Sequence, residues 1–239
     1  MEWHFLLPAI KSIKLLDQKI VACTKCPRLV EWREEVAVVK RKSYENEKYW
    51  GKPVPGFGPD NARIVIVGLA PGAHGANRTG RIFTGDSSGD WLYKALHKNG
   101  LATIPTSTSA ADGQKLIDTR ITCAVRCAPP DNKPSTEEKI QCSDYLVNEV
   151  ELLLPTARTF VALGSFAWSA IIKSLRTLDH QIPTPTPKFG HGESFTYVGP
   201  DGIKRLVLGS YHPSQQNTFT GKLTEPMLNA IFKKAKSFK

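Results

Sequence analysis

Four consecutive β-branched residues, Ile64-Val65-Ile66-Val67, lead straight into a glycine-rich stretch lasting from Gly68 to Gly89. An apolar run without alternation needs cover on both faces, as a buried parallel strand has. Parallel neighbours need long crossovers, which are usually helical. The rest of the chain supplies them. Strands are expected at 118–125 and Thr159 to Leu163, with helices at Asp90 to Lys98, 135–153 and Ser165 to Leu175. Ser135 followed by Glu138 has capping-box spacing. Segments 194–198 and 204–210, joined by Gly199-Pro200-Asp201-Gly202, read as a hairpin. A basic helix at 224–236 closes the chain.

Upstream, Leu6, Leu7, Ile10, Ile13, Leu16, Ile20 and Val21 recur at helical spacing over 5–22. Pro27 opens a second helix reaching about Arg41. Residues 43–61, rich in aromatics, glycine and proline, read as loop. The Ser/Thr/Ala-rich stretch 103–114 reads as surface loop, and Pro183 to Pro187 as an extended excursion. The expected fold is a single α/β domain over 1–239, a parallel sheet flanked by helices. Ligands in such sheets bind beyond the strands' carboxyl ends. That places the chemistry after Val67, Val125, Leu163 and Ser210.

Lys and Arg number 32 against 22 Asp and Glu. The excess of +10 favours a polyanionic partner, nucleic acid before an anionic membrane. No apolar run is long enough to span a bilayer. Met1 to Pro8 is too short and mixed for a signal peptide, so a cytoplasmic, intracellular location is expected. There, five cysteines point to metal or redox chemistry rather than disulfides. Cys23 and Cys26 form a CxxC pair; Cys127 and Cys142 stand far downstream. A zinc ribbon would usually show a second CxxC, and this arrangement suits a four-iron cubane better. Buried, unligated cysteine is the plain alternative, and it is the reading for Cys123 on the second strand.

The loop after the first strand, Gly68-Leu-Ala-Pro-Gly-Ala-His-Gly-Ala-Asn-Arg-Thr-Gly-Arg81, is neither GxGxxG nor GxxxxGK[ST], which weakens a nucleotide-cofactor reading. Its small residues let a substrate approach the backbone. His74, Asn77, Arg78 and Arg81 are candidates to meet phosphates or a base edge. In Ile82-Phe-Thr-Gly-Asp-Ser-Ser-Gly89, Asp86 or Ser87 would also serve as a helix cap.

Taken together with Phe83-Thr-Gly-Asp86, Arg126-Cys-Ala-Pro-Pro-Asp-Asn-Lys-Pro134 and Tyr211-His-Pro-Ser-Gln-Gln-Asn217, that loop resembles the uracil-DNA glycosylase superfamily. It is most similar to family 5, the type-b enzymes of archaea and some thermophilic bacteria. The resemblance runs from about Cys23 to the last helix. It implies a four-stranded parallel sheet and monofunctional excision of uracil, extended in type-b members to hypoxanthine and related deaminated bases. It also implies a [4Fe–4S] cluster, carried over onto Cys23, Cys26, Cys127 and Cys142 in the N-terminal helical part and the 127–142 segment. The expected partner is DNA containing such bases. A sliding clamp or another repair protein would be a further partner, and a monomer is expected.

Two departures redistribute the roles. Where other branches place a polar side chain for the attacking water, this chain has Leu69-Ala70-Pro71-Gly72, which turns attention to Asp86. Where others place an asparagine on the second strand, it has Thr122-Cys123-Ala124, which leaves Asn132 to read the base. Within the resemblance, a flipped base would stack on Phe83 and lie among Gly68, Ala70, Gly72, His74, Asn132 and Asn217. Asp86 would orient water or stabilise the sugar cation, and a neutral His212 would donate to the leaving base. Ser214, Gln215 and Gln216 would enter the gap left in the duplex. Asn77, Arg78, Arg81, Lys133 and Lys233-Lys234 are the candidate phosphate contacts. Three alternatives stand beside this reading: an iron-sulfur electron carrier, a lesion-binding module without catalysis, and a narrow uracil-only enzyme like the type-a branch.

Overall fold

The computed structural model describes residues 10–239; Met1 to Pro8 and the first turn of the helix expected over 5–22 lie outside them. Helix α1 spans Ile13–Val21 and α2 Pro27–Val39. Strand β1 (Ile64–Gly68) is followed by the short α3 (Ala76–Thr79) and by α4 (Ser87–Lys98). Then come β2 (Thr119–Cys123), α5 (Thr136–Leu153), β3 (Thr159–Leu163) and α6 (Ser165–Thr177). The hairpin β4 (Ser194–Val198) and β5 (Lys204–Ser210), the short α7 (Gln215–Phe219) and α8 (Glu225–Ser237) complete the chain.

The sheet has five strands in the order β2-β1-β3-β5-β4. This corrects the expected four. The four parallel strands are present, with registers Ile66 to Ile121 and Val161 to Leu208. The hairpin adds β4 antiparallel to β5, Phe195 opposite Val207. The hairpin itself was legible; its first strand extends the parallel sheet because a tight turn must place it beside β5. The opposite edge, β2, is partly covered by Phe57, whose backbone N–H and C=O both pair with Ile121.

Strand pleating divides the core. Ile64 and Ile66 face a cluster with Leu92, Leu96, Leu228 and Phe232 of α4 and α8. Val65 and Val67 face the other side, with Leu146, Val150, Trp168 and Ile171 of α5 and α6. Burial of both faces accounts for the unbroken β-branched run. The capping box at Ser135 and Glu138 is present. Helix α4 begins three residues earlier than expected because Asp86 caps it. The 103–114 stretch is not simply surface loop: Ser107 and Gln114 are buried. No helix among the described residues is long and apolar enough to cross a membrane.

Candidate base-binding cleft

The carboxyl ends of β1 and β5 open onto a cleft of about 400 Å³. Leu69, Ala70, Gly72, Phe83 and Asp86 line one side; Asn132, His212, Ser214 and Gln216 complete it. Segments far apart in sequence therefore converge where the strand order said they should.

Phe83 owes its place to unusual backbone. Its φ is +51°, in the left-handed region that bulky side chains avoid, at a cost of roughly 1–3 kcal/mol. Its ring lies against Gly68, where a Cβ would stand 2.9 Å from two ring atoms. Gly68 thus serves the site by leaving room for the ring. The Phe83 and His212 rings lie tilted at 32°, with centroids 5.7 Å apart.

Asp86 has two tasks for its two oxygens. Oδ1 accepts the Gly89 N–H at 2.9 Å and caps α4. Oδ2 points toward the glycine-rich loop: a Cβ on Gly72 would lie 3.1 Å from it, and one on Gly75 would fall on it. The helix-cap and functional readings are therefore not exclusive. Among the described residues Asp86 has no ion-pair partner, Arg78 and Arg81 being paired with Glu47 and Asp112, and burial raises its carboxyl above the ordinary range. His212 is half-buried, with an edge on the cleft, and burial pushes its imidazole down to about 4. It is neutral at physiological pH. Its own carbonyl accepts the Asn217 side-chain N–H at 2.8 Å. Asn217 holds the histidine segment and does not line the cleft. Ser214 caps α7 as well as lining the cleft.

Several expected contacts are internal instead. Arg78 is buried and donates to the His74 and Gly85 carbonyls at 2.7 and 2.9 Å, pairs with Glu47, and packs over the Tyr44 ring. Arg81 is buried and spent on Thr84, Ser107 and Asp112. Asn77 is fully buried and donates to the Arg33 carbonyl at 3.1 Å. None of the three is free to meet a phosphate. A loop this rich in glycine has few side chains to support it, so its polar residues brace the backbone. His74 accepts or donates one bond with the Tyr49 hydroxyl at 3.1 Å and lies off the cleft, as does Gln215. Sequence reading missed Asp131 and Ser88, which line the cleft. Adjacent Asp131 and Asn132 both have left-handed backbone, at φ +52° and +57°, a conformation Asp and Asn tolerate best. That dipeptide, between Pro130 and Lys133, was the available signal.

The cysteines gather elsewhere. Cys127 and Cys142 are buried with Leu29 and Val125, and Cys26 packs against them. The Arg33 guanidinium donates to Cys127 Sγ at 3.0 Å and to the Cys23 carbonyl at 3.3 Å; the Arg126 N–H donates to Cys142 Sγ at 3.3 Å. Arg33 Nε is buried without a partner. Cys123 stands apart in the core beside Gly68, as its strand position suggested.

Comparison with known proteins adds a further set of observations. Residues 55–236 match the model of the family described as the uracil DNA glycosylase superfamily. The chain is 53% identical over 225 residues to the type-5 uracil-DNA glycosylase of Mycobacterium tuberculosis, covering 94% of this chain and 81% of that protein. It is 48% identical over 220 residues to the type-5 uracil-DNA glycosylase of Thermus thermophilus, covering 92% and 94%. To a type-4 uracil-DNA glycosylase of Pyrobaculum aerophilum the identity is 28% over 225 residues, with 93% and 90% covered. With mycobacteria among these sources, the resemblance does not single out an archaeal or thermophilic one.

Proposed function

The chain belongs to the uracil DNA glycosylase superfamily, and from that premise we propose that it excises uracil from DNA in base excision repair, leaving an abasic site. The observation that carries the reading is the meeting of Phe83, Asp86, Asn132 and His212 around one cleft. A base in the duplex is out of reach, so it must be flipped into that cleft. Phe83 supplies the stacking face. Asn132 lines the cleft, and its side-chain amide would hydrogen-bond the base edge. As the glycosidic bond breaks, negative charge grows on the departing base. A neutral His212 donates a hydrogen bond to it without carrying a charge of its own. Asp86 holds the attacking water or steadies the sugar cation with its carboxylate. Hypoxanthine shares with uracil the ring N–H beside a carbonyl, which supports the broader base range.

The test is base release from an oligonucleotide carrying one uracil, followed by alkali, with a hypoxanthine substrate beside it. Strand breaks only after alkali support a monofunctional glycosylase. Binding without release would favour a lesion-binding module, a reading disfavoured by the names of relatives about half identical to this chain.

The four cysteines fit a [4Fe–4S] cluster in their donor chemistry. Two are buried, N–H donors already point at their sulfurs, and Arg33 carries an unused buried donor beside them. Among the described residues no group of three or more His, Cys, Asp or Glu is placed to hold one metal ion. A cubane is ligated at four separate irons, so its thiolates need not crowd around a single centre. When bound, the cluster would tie the N-terminal helices to the 127–142 segment and supply no step of the hydrolysis. DNA is the proposed partner. A sliding clamp or other repair protein, a monomeric state and a cytoplasmic location belong to the same proposal.

A further inference from the structure

Phe83 is flanked by two residues that turn away from the cleft into the same buried cluster. Arg81 Nε donates to Thr84 Oγ1 at 2.9 Å, and Arg81 Nη2 donates to Ser107 Oγ at 2.8 Å and to Asp112 Oδ2 at 2.5 Å. The Thr84 and Ser107 hydroxyls bond each other at 2.7 Å. The Gly85 N–H donates to the Ser107 carbonyl at 2.8 Å. Asp112 also gathers its own loop, accepting the Thr108, Ser109 and Gln114 N–H groups at 2.8, 3.3 and 2.9 Å. Burial works against its charge, yet Arg81 and those three N–H groups hold the carboxyl down at about 2.

This arrangement is more than is needed to close a surface loop. The residue two before Phe83 and the residue directly after it are both fastened to the 103–114 loop. Between them the aromatic residue is held in left-handed backbone that it would not choose alone. The guanidinium of Arg81 also lies over the Phe57 ring, 4.9 Å from its centroid, which fixes it from the other side. Strain of this kind persists only where the surroundings over-determine the conformation.

We propose that Arg81 and Asp112 are positioning residues, whose ion pair, with buried Thr84 and Ser107, sets the Phe83 ring as the stacking face for a flipped base; the base-stacking role rests on the proposed glycosylase function. The pair touches no substrate and acts through Phe83. Removing it leaves the strained turn free to relax toward ordinary backbone and turns the ring away from the cleft.

The decisive experiment is a double-mutant cycle between Asp112→Asn and Phe83→Ala, read as single-turnover uracil release. Asparagine keeps the shape and loses the charge that Arg81 needs. In the wild-type background Asp112→Asn is expected to lower the rate about 10-fold or more. In the Phe83→Ala background it is expected to change the rate less than about two-fold, because its route of action is gone. Equal losses in both backgrounds, or no loss in the first, would overturn the proposal. Ser107→Ala gives a second entry into the same cycle if Asp112→Asn folds poorly. Hydrogen exchange on the free protein reads the clamp without any reaction. Faster exchange at residues 82–85 in either variant, with the rest of the sheet unchanged, is the expected result; unchanged exchange there would count against it. Absence of base release by the wild-type protein, with the exchange response intact, would remove the glycosylase reading and leave the clamp standing.

Discussion

Asp86 and Glu149 are both enclosed carboxylates, and the structure treats them in opposite ways. Glu149 on α5 is fully buried. Burial would raise its pKa, but the Arg126 and Arg120 guanidinia and the Thr122 hydroxyl hold it down to about 2. Asp86 also feels burial as its largest influence. It has only backbone N–H groups and a remote Arg78, and stays above the ordinary range. Arg78, the nearest candidate cation, is taken by Glu47. One carboxylate is neutralised by its partners and locks β2 to α5. The other is left unneutralised beside a cleft, where its charge remains available to a developing cation.

The largest expected effect lies on the structural side. Glu149→Gln leaves buried Arg126 without its carboxylate partner and Arg120 with only Asp17 and Asp60, a class of change that costs roughly 3–5 kcal/mol. Denaturant unfolding should show a large drop in midpoint. Base release per folded molecule should hold near the wild-type value. A midpoint unchanged within error would mean the triad contributes nothing net.

On the functional side, Asp86→Asn separates cap from charge. Asparagine caps helices as well as aspartate does, so α4 should keep its stability. The rate of base release should fall on the order of 10²-fold or more, and His212→Ala should cost a comparable factor. A wild-type rate in Asp86→Asn would reduce Asp86 to a helix cap.

The two carboxylates also predict diverging pH profiles. Asp86 works ionised, and its raised pKa means that activity falls as pH drops through a value above 3.8. His212, at about 4, is neutral above that value. Stability follows different signs. Glu149 has a folded pKa below its unfolded 4.5, so its stabilisation is present above 4.5 and is lost as pH falls toward about 2. Asp86, bound more tightly to its proton in the folded state, favours folding as pH falls through its raised pKa. Activity should therefore decline through protonation of Asp86, a step that itself favours the fold, whereas the contribution of Glu149 is lost only below 4.5. Loss of activity and of helical signal at one common pH would contradict the distinction.

Much of this was legible in the residue order, for identifiable reasons. The β-branched run Ile64 to Val67 could be covered only in a sheet flanked on both faces, and its two faces do enter separate clusters. Strand ends then located the cleft, and Phe83, Asp86, Asn132 and His212 followed from their motifs. The fifth strand and the fate of the basic residues were harder to read. A positive side chain on a glycine-rich loop looks the same in sequence whether it meets a phosphate or a carbonyl four residues away. Arg78 and Arg81 are distinguished only by Glu47 and Asp112, 31 positions from each, which tertiary folding brings to them. Ser107 and Asp112 carried no signal in a stretch whose composition matches ordinary loop.

The contrast between satisfied and available charge extends to the cations, where the smallest effect is expected. Arg81 is buried and paired, whereas Lys133 is exposed immediately after the cleft residue Asn132. A cation with an internal partner gains little from a phosphate; a hydrated one at the cleft mouth releases a counterion when DNA arrives. Lys133→Ala should therefore weaken binding of uracil-containing and undamaged DNA alike, by a few-fold at low salt. It should reduce the slope of log affinity against log salt by about 1. Its backbone carbonyl, which accepts Arg28 at 3.2 Å, is kept by the substitution, so the fold around the 127–142 segment should be unaffected. A salt slope identical to wild type would place the phosphate track on another side of the cleft, with Lys222, set 4.8 Å above the Tyr211 ring beside His212, as the next residue to replace.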